Sequence, residues 1–306
     1  MAMELRHLRY FIAVAEEKHI TRAAERLGMQ QPPLSQQIKA IERELDVQLF
    51  RRKARGVELT DPGRILLDGA RAVLAQLDLA LEATRRAARG EQGQLCVGVT
   101  PTAPFHPLVS RVIRAFRDAY PTVSVTLEEC LSYELLERLR NERMDVAFIR
   151  NQVADPEGLV INPLLEEPML VALPSGHALA RDKEKATLAL KSLANETFIL
   201  YGPPGSGIYD STIAACHRAG FGPHIGQLAP RITSTLGLVA AGLGISVVPE
   251  SMSRMNMDGV MYRQIKGTTQ ATAILSLASR RGDPSAVVRH FVDSVRRAAR
   301  NGVYQN

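Results

Sequence analysis

The spacing of hydrophobic residues between positions 20 and 45 predicts two short helices joined by a tight turn. The first helix is predicted over 21–27, because Ala23, Ala24 and Leu27 fall on one side of it. Gly28 ends this helix, since glycine adopts a left-handed conformation without a steric penalty and lets the chain reverse at once. The pattern is typical of a helix-turn-helix.

The second helix is predicted to begin at Gln31. Prolines at positions 32 and 33 are tolerated in a first helical turn, because their missing N–H groups would have no intrahelical acceptor there. One side is an apolar stripe of Leu34, Ile38, Ile41 and Leu45, and the other carries Ser35, Gln36, Gln37, Lys39 and Arg43. Such polar groups bond base edges or phosphates when a helix start enters the major groove. On spacing alone, a helical hairpin with a solvated face explains the pattern equally well.

A short two-stranded ribbon, or wing, is predicted directly after the second helix. Residues 47–52 and 57–59 have strand character, and the turn between them, 53–56, is cationic. Cations in such a wing reach phosphates or the minor groove beside the helix. The ribbon therefore favours DNA binding over the plain hairpin. The candidate DNA-binding residues are Thr21, Gln31, Pro32, Ser35, Gln36, Lys39, Arg52, Lys53 and Arg55.

Residues 23–63 resemble the N-terminal signature of the LysR-type transcriptional regulators; their sequence is AAERLGMQQPPLSQQIKAIERELDVQLFRRKARGVELTDPG. The resemblance implies a winged-helix transcription factor that binds interrupted palindromes in double-stranded DNA as a homodimer or homotetramer, with RNA polymerase as a candidate further partner. Gln30 departs from the signature, because many members have a serine there that caps the recognition helix, and glutamine caps poorly. The helix start is expected to be looser, or to rely on Thr21 and the prolines.

A long helix is predicted from residue 60 to about residue 89. Thr60 is a capping residue, and an aspartate and a proline occupy the first turn. The apolar stripe of this helix consists of Leu66, Ala70, Val73, Leu74, Leu77 and Leu81. A helix of this length is unusual without a partner, although it could dock on its own chain. In the LysR-like architecture this linker helix pairs with a second subunit, which implies dimerisation through Leu66, Val73, Leu74, Leu77 and Leu81.

Strands and helices alternate from residue 91 onward, which predicts an α/β domain. Strands at 95–99, 123–129 and 145–149 predict a wound, mostly parallel sheet, and a second set of strands is predicted at 165–174, 197–201 and 244–249. The chain returns through a strand at 273–279 and a last helix at 285–299. The intervening helices are predicted at 107–120, 133–142, 208–219 and 234–241.

This arrangement resembles the effector domain of the LysR family, which is built like a type 2 periplasmic-binding protein. The multidomain α/β chain is therefore divided into a winged helix-turn-helix (1–59), a linker helix (60–90) and an effector domain (91–306). Two subdomains are expected in the last, about 91–163 with 268–306, and about 164–267.

The cleft between the two subdomains is the predicted ligand site, where strand ends and helix N-termini favour anions. The candidate effector-binding residues are Thr100, Thr102, Ser132, Arg150, Ser206, Tyr209, Ser234 and Thr235. Any single serine or threonine among them could be an ordinary helix cap. Arg150 is expected to grip the carboxylate of a small organic acid. The alternative is a structural pairing with Asp155 or Glu157.

A further resemblance, to LysR-type regulators of aromatic-compound breakdown that share the QPPLS run, places Thr102, Ser132 and Arg150 near effector-contacting positions.

Charge and cysteine content agree with this division. Residues 1–90 have 16 Lys and Arg against 12 Asp and Glu, a surplus of 4 within the chain's +6, which suits a nucleic-acid contact at the front. Cys96, Cys130 and Cys216 have neither disulfide nor metal spacing. Small buried apolar roles are expected for all three, with redox sensing by Cys216 as the alternative. No signal peptide or membrane span is apparent, so a cytoplasmic protein is expected.

No catalytic constellation is apparent in the sequence. The loop 202–207 has two glycines at phosphate-loop spacing, but Ile208 stands where a lysine would be needed. Neither a cofactor nor a metal is expected, and the chain is predicted not to be an enzyme. The alternative is that residues 91–306 are a solute-binding or enzymatic module and that the front hairpin is only an interaction domain.

Overall fold

The computed structural model describes residues 3–150, 156–181, 187–267 and 271–302. The chain divides into two compact units, Met1–Arg86 and Ala87–Asn306. Most of the predicted linker helix is thus counted with the first unit. Within the described ranges, no helix is long and apolar enough to cross a membrane.

The first unit is a winged helix-turn-helix. Its elements are α1 (Leu5–Glu17), α2 (Ile20–Arg26), α3 (Gln31–Leu45), β1 (Phe50–Lys53), β2 (Gly56–Leu59) and α4 (Asp61–Ala88). The predicted stripe of α3 is buried at Leu34, Ile38 and Ile41, where it packs with Phe11 of α1. Leu45 is exposed, so the stripe ends one turn earlier than predicted.

Local chemistry sets the element boundaries of the first unit. Gly28 has the expected left-handed conformation, with φ of +64°. Gln30 makes no side-chain capping bond to α3, as its poor capping ability predicts. The wing begins at residue 50 and not 47, because the carboxylate of Glu42 accepts the backbone N–H groups of Leu49 and Phe50, at 2.8 and 3.2 Å.

The start of α4 is fixed by two neighbouring features. Thr60 caps the helix by accepting the N–H of Gly63 at 3.1 Å, and it donates to the carbonyl of Gln48 at 2.6 Å. A side chain at Gly63 would meet the carbonyl oxygen of Leu49 at 2.2 Å, so only glycine allows this close approach. The helix start is therefore held against the segment that precedes the wing.

The second unit contains nine helices and strands before its long central strand region closes, and their bounds follow chain order. The first part comprises β3 (Gly93–Val99), α5 (Pro107–Ala119), β4 (Val123–Glu129), α6 (Ser132–Arg140), β5 (Val146–Ile149), β6 (Leu159–Pro174), α7 (Ala178–Arg181), β7 (Thr187–Ala189) and β8 (Thr197–Tyr201). The second part comprises α8 (Gly207–Arg218), β9 (His224–Ala229), α9 (Ile232–Ala240), β10 (Ser246–Pro249), β11 (Val260–Lys266), β12 (Thr272–Arg280) and α10 (Ala286–Gly302).

The sheet of this unit is mixed. The strand order is β4-β3-β5-β12-β6-β11-β7, β10 also pairs with β6, and β8 and β9 form a separate pair. The predicted parallel pairing is correct for β3 with β4 and β5. It is wrong for β6, which pairs antiparallel with β10, β11 and β12, because β6 leaves one subdomain and β12 returns to it in the opposite direction.

Each subdomain has its own hydrophobic core. In the first, Phe291 of α10 meets Phe116 of α5 edge-on, with ring centroids 5.1 Å apart, and packs over Phe148 of β5. In the second, α8 and α9 bury Cys216 and Leu236 beside Phe198 of β8. The expected pair of subdomains is thus present, joined by the crossing strands β6 and β12.

Candidate DNA interface and effector site

The start of α3 presents a polar surface to solvent. The predicted contact residues Gln31, Pro32, Gln36 and Lys39 are exposed, and Ser35 is partly exposed. The buried stripe on the opposite side of the helix fixes the direction of this surface. Helix N-termini offer N–H groups to acceptors such as phosphate oxygens. Thr21 of α2 is also exposed, so every predicted helical contact residue is accessible.

The wing presents four exposed cations with different surroundings. Lys53 lies 3.0 Å from the carboxylate of Glu58, which also contacts Arg51. Arg52 and Arg55 have no ion pair within the described ranges. The predicted phosphate contacts in the wing are therefore of two kinds, one neutralised within the ribbon and the other available.

The apolar stripe of α4 is only partly covered. Ala70 is buried and Leu66 packs against the core of the winged helix, so these two stabilise the first unit itself. Farther along, Leu74 and Leu77 are half-buried, whereas Val73 and Leu81 are 47 and 46 % exposed. Leu79, which the stripe did not include, is 60 % exposed.

One small cavity brings together five of the eight predicted effector-binding residues. They are Thr100, Thr102, Ser132, Arg150 and Ser206, and the cavity is completed by Leu131, Tyr201, Gly207 and Ile208. Three strands, β3, β5 and β8, end at this cavity, and α6 and α8 begin at it. The cavity therefore lies between the two subdomains, as the strand ends predicted.

The cavity contains polar atoms that lack partners. The hydroxyls of Thr100, Thr102 and Ser206 and the Nε atom of Arg150 are buried and make no hydrogen bond within the described part of the chain. Ser132 differs, because its hydroxyl accepts the backbone N–H of Arg150 at 3.4 Å. Unpartnered buried donors cost free energy, so this set is suited to a ligand that accepts hydrogen bonds.

Arg150 is buried and already has a carboxylate neighbour. Its Nη2 atom lies 2.5 Å from Oε1 of Glu167, and its Nη1 atom donates to the carbonyl of Ala273 at 3.5 Å. Burial lowers the pKa of Arg150, and the nearby Glu167 partly offsets that shift. The sequence suggested Asp155 or Glu157 as structural partners. The carboxylate beside the guanidinium is that of Glu167, and Asp155 lies outside the described residues.

Three predicted effector residues are not at the cavity. Tyr209 packs partly against the core of the second subdomain. Ser234 is exposed, and the hydroxyl of Thr235 donates to the carbonyl of Arg231 at 3.1 Å. Because α9 begins at Ile232, Ser234 and Thr235 lie inside that helix and do not open it.

Two functional residues were missed in the sequence. Tyr201 borders the cavity, and burial, followed by the charge of Glu129, raises the pKa of its phenol to about 12. Its place at the end of the predicted strand 197–201 was a usable indication. Glu167 was hidden within the acidic pair that it forms with Glu166.

Comparison with known proteins identifies both units. Residues 5–64 match the family described as "Bacterial regulatory helix-turn-helix protein, lysR family", and residues 88–300 match "LysR substrate binding domain". The regulator AlsR of Bacillus subtilis (strain 168) is 37% identical over 292 residues, 95% of this chain and 94% of AlsR. BudR of Raoultella terrigena is 36% identical over 292 residues, 95% of this chain and 99% of BudR.

Among solved structures, full-length CbnR complexed with its target DNA is similar with a TM-score of 0.83 and 31% identity, over 97% of this chain and 100% of CbnR. The chain therefore belongs to the LysR family. It is a DNA-binding transcriptional regulator with an effector-binding domain, and it is not an enzyme. Like the family, it binds DNA and small effectors and forms oligomers.

Proposed function

We propose that this regulator responds to a small organic acid bound in the cavity formed by Thr100, Thr102, Ser132, Arg150 and Ser206. The observation that carries the proposal is the convergence of four unpartnered buried polar atoms on one cavity. Leaving a buried donor unsatisfied costs about 1–3 kcal/mol. A ligand carboxylate that accepts from these groups recovers part of that cost, which favours an acceptor over an apolar ligand.

An anion is favoured further by the two helices that begin at the cavity. The N-terminal residues of α6 and α8 border it, and helix N-termini stabilise negative charge. Arg150 contributes less than a free arginine would, because Glu167 already neutralises it. A ligand carboxylate must therefore compete with Glu167 for the guanidinium. This competition gives the ligand a direct means of changing contacts inside the protein.

The size of the cavity predicts a conformational change on binding. Its volume is about 20 Å³, which is room for roughly one water molecule. An acid with several carbon atoms fits only if the N-termini of α6 and α8 separate. We infer that effector binding changes the relative position of the two subdomains and that this change alters DNA binding.

A thermal-shift screen of the full-length protein tests the ligand class. Aliphatic and aromatic carboxylic acids are compared with their primary amides, and an acid at 100 times its Kd should stabilise the fold by about 2.7 kcal/mol. Thr102→Val removes a cavity hydroxyl, whereas Thr212→Val removes one that bonds Ile208 within α8. The first variant should lose the acid's effect and the second should keep it. Equal stabilisation by acids and amides would contradict an anionic effector.

We also propose how the first unit contacts its DNA. Gln31, Ser35 and Gln36 contact base edges, supported by their exposure at the start of α3. Pro32 lies between them, and Thr21, Lys39, Arg52, Lys53 and Arg55 contact phosphates. The target is an interrupted palindrome in double-stranded DNA, bound by two or four copies of the chain in the cytoplasm. RNA polymerase is the proposed partner at a promoter.

The same proposal assigns α4 to subunit contacts. Val73, Leu74, Leu77 and Leu81 form the part of its stripe that lies beyond the winged-helix core. Their partial exposure leaves apolar surface in water, which a second copy of the helix would cover. A homodimer formed here would pair two winged helices for the two halves of a palindrome.

A further inference from the structure

One face of the wing carries a single carboxylate between two cations. Strands β1 and β2 pair antiparallel, with Arg51 opposite Glu58 and Lys53 opposite Gly56. Because side chains alternate along a strand, Arg51, Lys53 and Glu58 share this face. Oε2 of Glu58 lies 3.1 Å from Nε of Arg51 and 3.0 Å from Nζ of Lys53. One glutamate thus neutralises half of the wing's four cations.

The other two wing cations are placed differently. Arg52 is opposite Val57, on the face of the ribbon that also carries Phe50, and Phe50 and Val57 pack partly against the core of the first unit. Arg55 lies at the turn between the strands. Neither Arg52 nor Arg55 has an ion pair within residues 3–150 or the other described ranges. Strand alternation therefore sorts the wing cations into two held by Glu58 and two that are free.

The charge of Glu58 is permanent under physiological conditions. Hydrogen bonds from Arg51 first and Lys53 second lower the pKa of Glu58 to about 2, so the carboxylate stays ionised throughout the neutral range. All three side chains are largely exposed, and water screens their attraction. Their arrangement therefore has little to offer the stability of the fold. Its effect is on what the cations can do for an approaching polyanion.

We propose that Glu58 limits the sequence-independent affinity of this regulator for DNA by competing with phosphates for Arg51 and Lys53. Non-specific binding to DNA rises with the number of phosphates that a protein neutralises. Base-edge contacts from α3 do not depend on Arg51 or Lys53. By reducing the phosphate contacts of the wing, Glu58 raises the ratio of specific to non-specific binding, and it is a specificity-determining residue that never needs to touch DNA.

The test compares full-length wild type with Glu58→Gln on a DNA duplex of random sequence. The variant should bind this duplex more tightly, and the slope of log K against log salt should steepen by about 0.9 for each cation released in each subunit. On a fourfold dilution of salt, its binding should strengthen about 3.5-fold more than that of the wild type for each such contact. An unchanged affinity and slope would overturn the proposal.

Glu44→Gln is the matched control, because it changes the charge equally. Glu44 is exposed near the C-terminal end of α3, far from Gln31, and has no ion pair within the described ranges. A general charge effect would act on both variants alike. The proposal requires the larger change in Glu58→Gln, and an equal change in Glu44→Gln would contradict it.

A double-mutant cycle identifies the cation that is released. Arg51→Ala should have little effect on random-duplex binding in the wild type and should weaken it when combined with Glu58→Gln. Arg52→Ala should weaken binding equally in both backgrounds, since Arg52 is not held by Glu58. If Arg51→Ala weakened wild-type binding as much as it weakens the Glu58→Gln protein, Arg51 would already contact phosphate and the proposal would be wrong.

Discussion

The guanidinium of Arg150 and the carboxylate of Glu167 form an ion pair that is almost completely withdrawn from solvent, with 4 and 6 % of the two residues exposed. The same carboxylate accepts the backbone N–H and the hydroxyl of Ser251, both at 3.3 Å. Ser251 begins the helical turn that follows β10 in the second subdomain. An acid that draws Arg150 away therefore disturbs contacts on the far side of Glu167.

This pairing determines how the ligand role of Arg150 is tested. Arg150→Met alone should lower the free energy of unfolding by about 3–5 kcal/mol, because it leaves Glu167 charged and buried without its partner. Arg150→Met combined with Glu167→Gln removes both charges and should recover much of that loss. Urea unfolding measures both effects.

The double variant then separates stability from ligand binding. It should stay folded and bind DNA, yet lose affinity for the acid found in the screen, as measured by calorimetry. Unchanged affinity in the double variant would exclude Arg150 as the carboxylate contact. The remaining candidates would then be the hydroxyls of Thr100, Thr102 and Ser206.

Local pattern was enough to predict much of this site, because its residues follow strand ends or precede helices. Thr100, Thr102, Ser132, Arg150 and Ser206 were all chosen by that rule, and the parallel strands bring them together. For Ser234 and Thr235 the rule failed because it depends on the first residue of a helix, and α9 begins two residues earlier than predicted.

Glu167 could not be predicted, because its role depends on pairing between distant strands. In the register of β6 with β12, Glu167 is opposite Ala273, whose carbonyl also accepts from Arg150. The antiparallel return of β12 between β5 and β6 brings these groups to the end of β5. Sequence spacing contains no information on that order. Strand β9 was missed for another reason, since five of its six residues are exposed and it lacks an apolar alternation.

The division of DNA contacts between α3 and the wing gives the next prediction. Arg55→Ala should weaken binding to all duplexes alike and lower the salt slope by about 0.9 per lost phosphate contact in each subunit. Gln31→Ala should instead relax the preference for one base pair in each half-site, because Gln31 is exposed at the helix start. Binding to a library of duplexes at several salt concentrations measures both. A changed base preference in Arg55→Ala would contradict this division.

The stripe of α4 predicts the behaviour of charged substitutions along one helix. Leu77→Asp should produce monomers that no longer bind DNA tightly, since a carboxylate would be placed in an apolar contact between subunits. Gln76→Asp adds a carboxylate at the neighbouring exposed position and should leave assembly unchanged. Light scattering checks both proteins. A normal oligomer for Leu77→Asp would exclude this part of α4 as the subunit contact.

Cys216 is predicted to be inert towards thiol reagents in the folded protein. Its side chain is fully buried in the core of the second subdomain, and burial raises the pKa of the thiol to about 11. The thiolate is the reactive form, so both access and ionisation oppose modification near neutral pH. Mass spectrometry after brief exposure to iodoacetamide should find Cys216 unlabelled, and labelling should appear only in denaturant. Cys96 and Cys130, which are half-buried, serve as internal comparisons. Labelling of Cys216 as fast as theirs without denaturant would favour a redox role over the structural one.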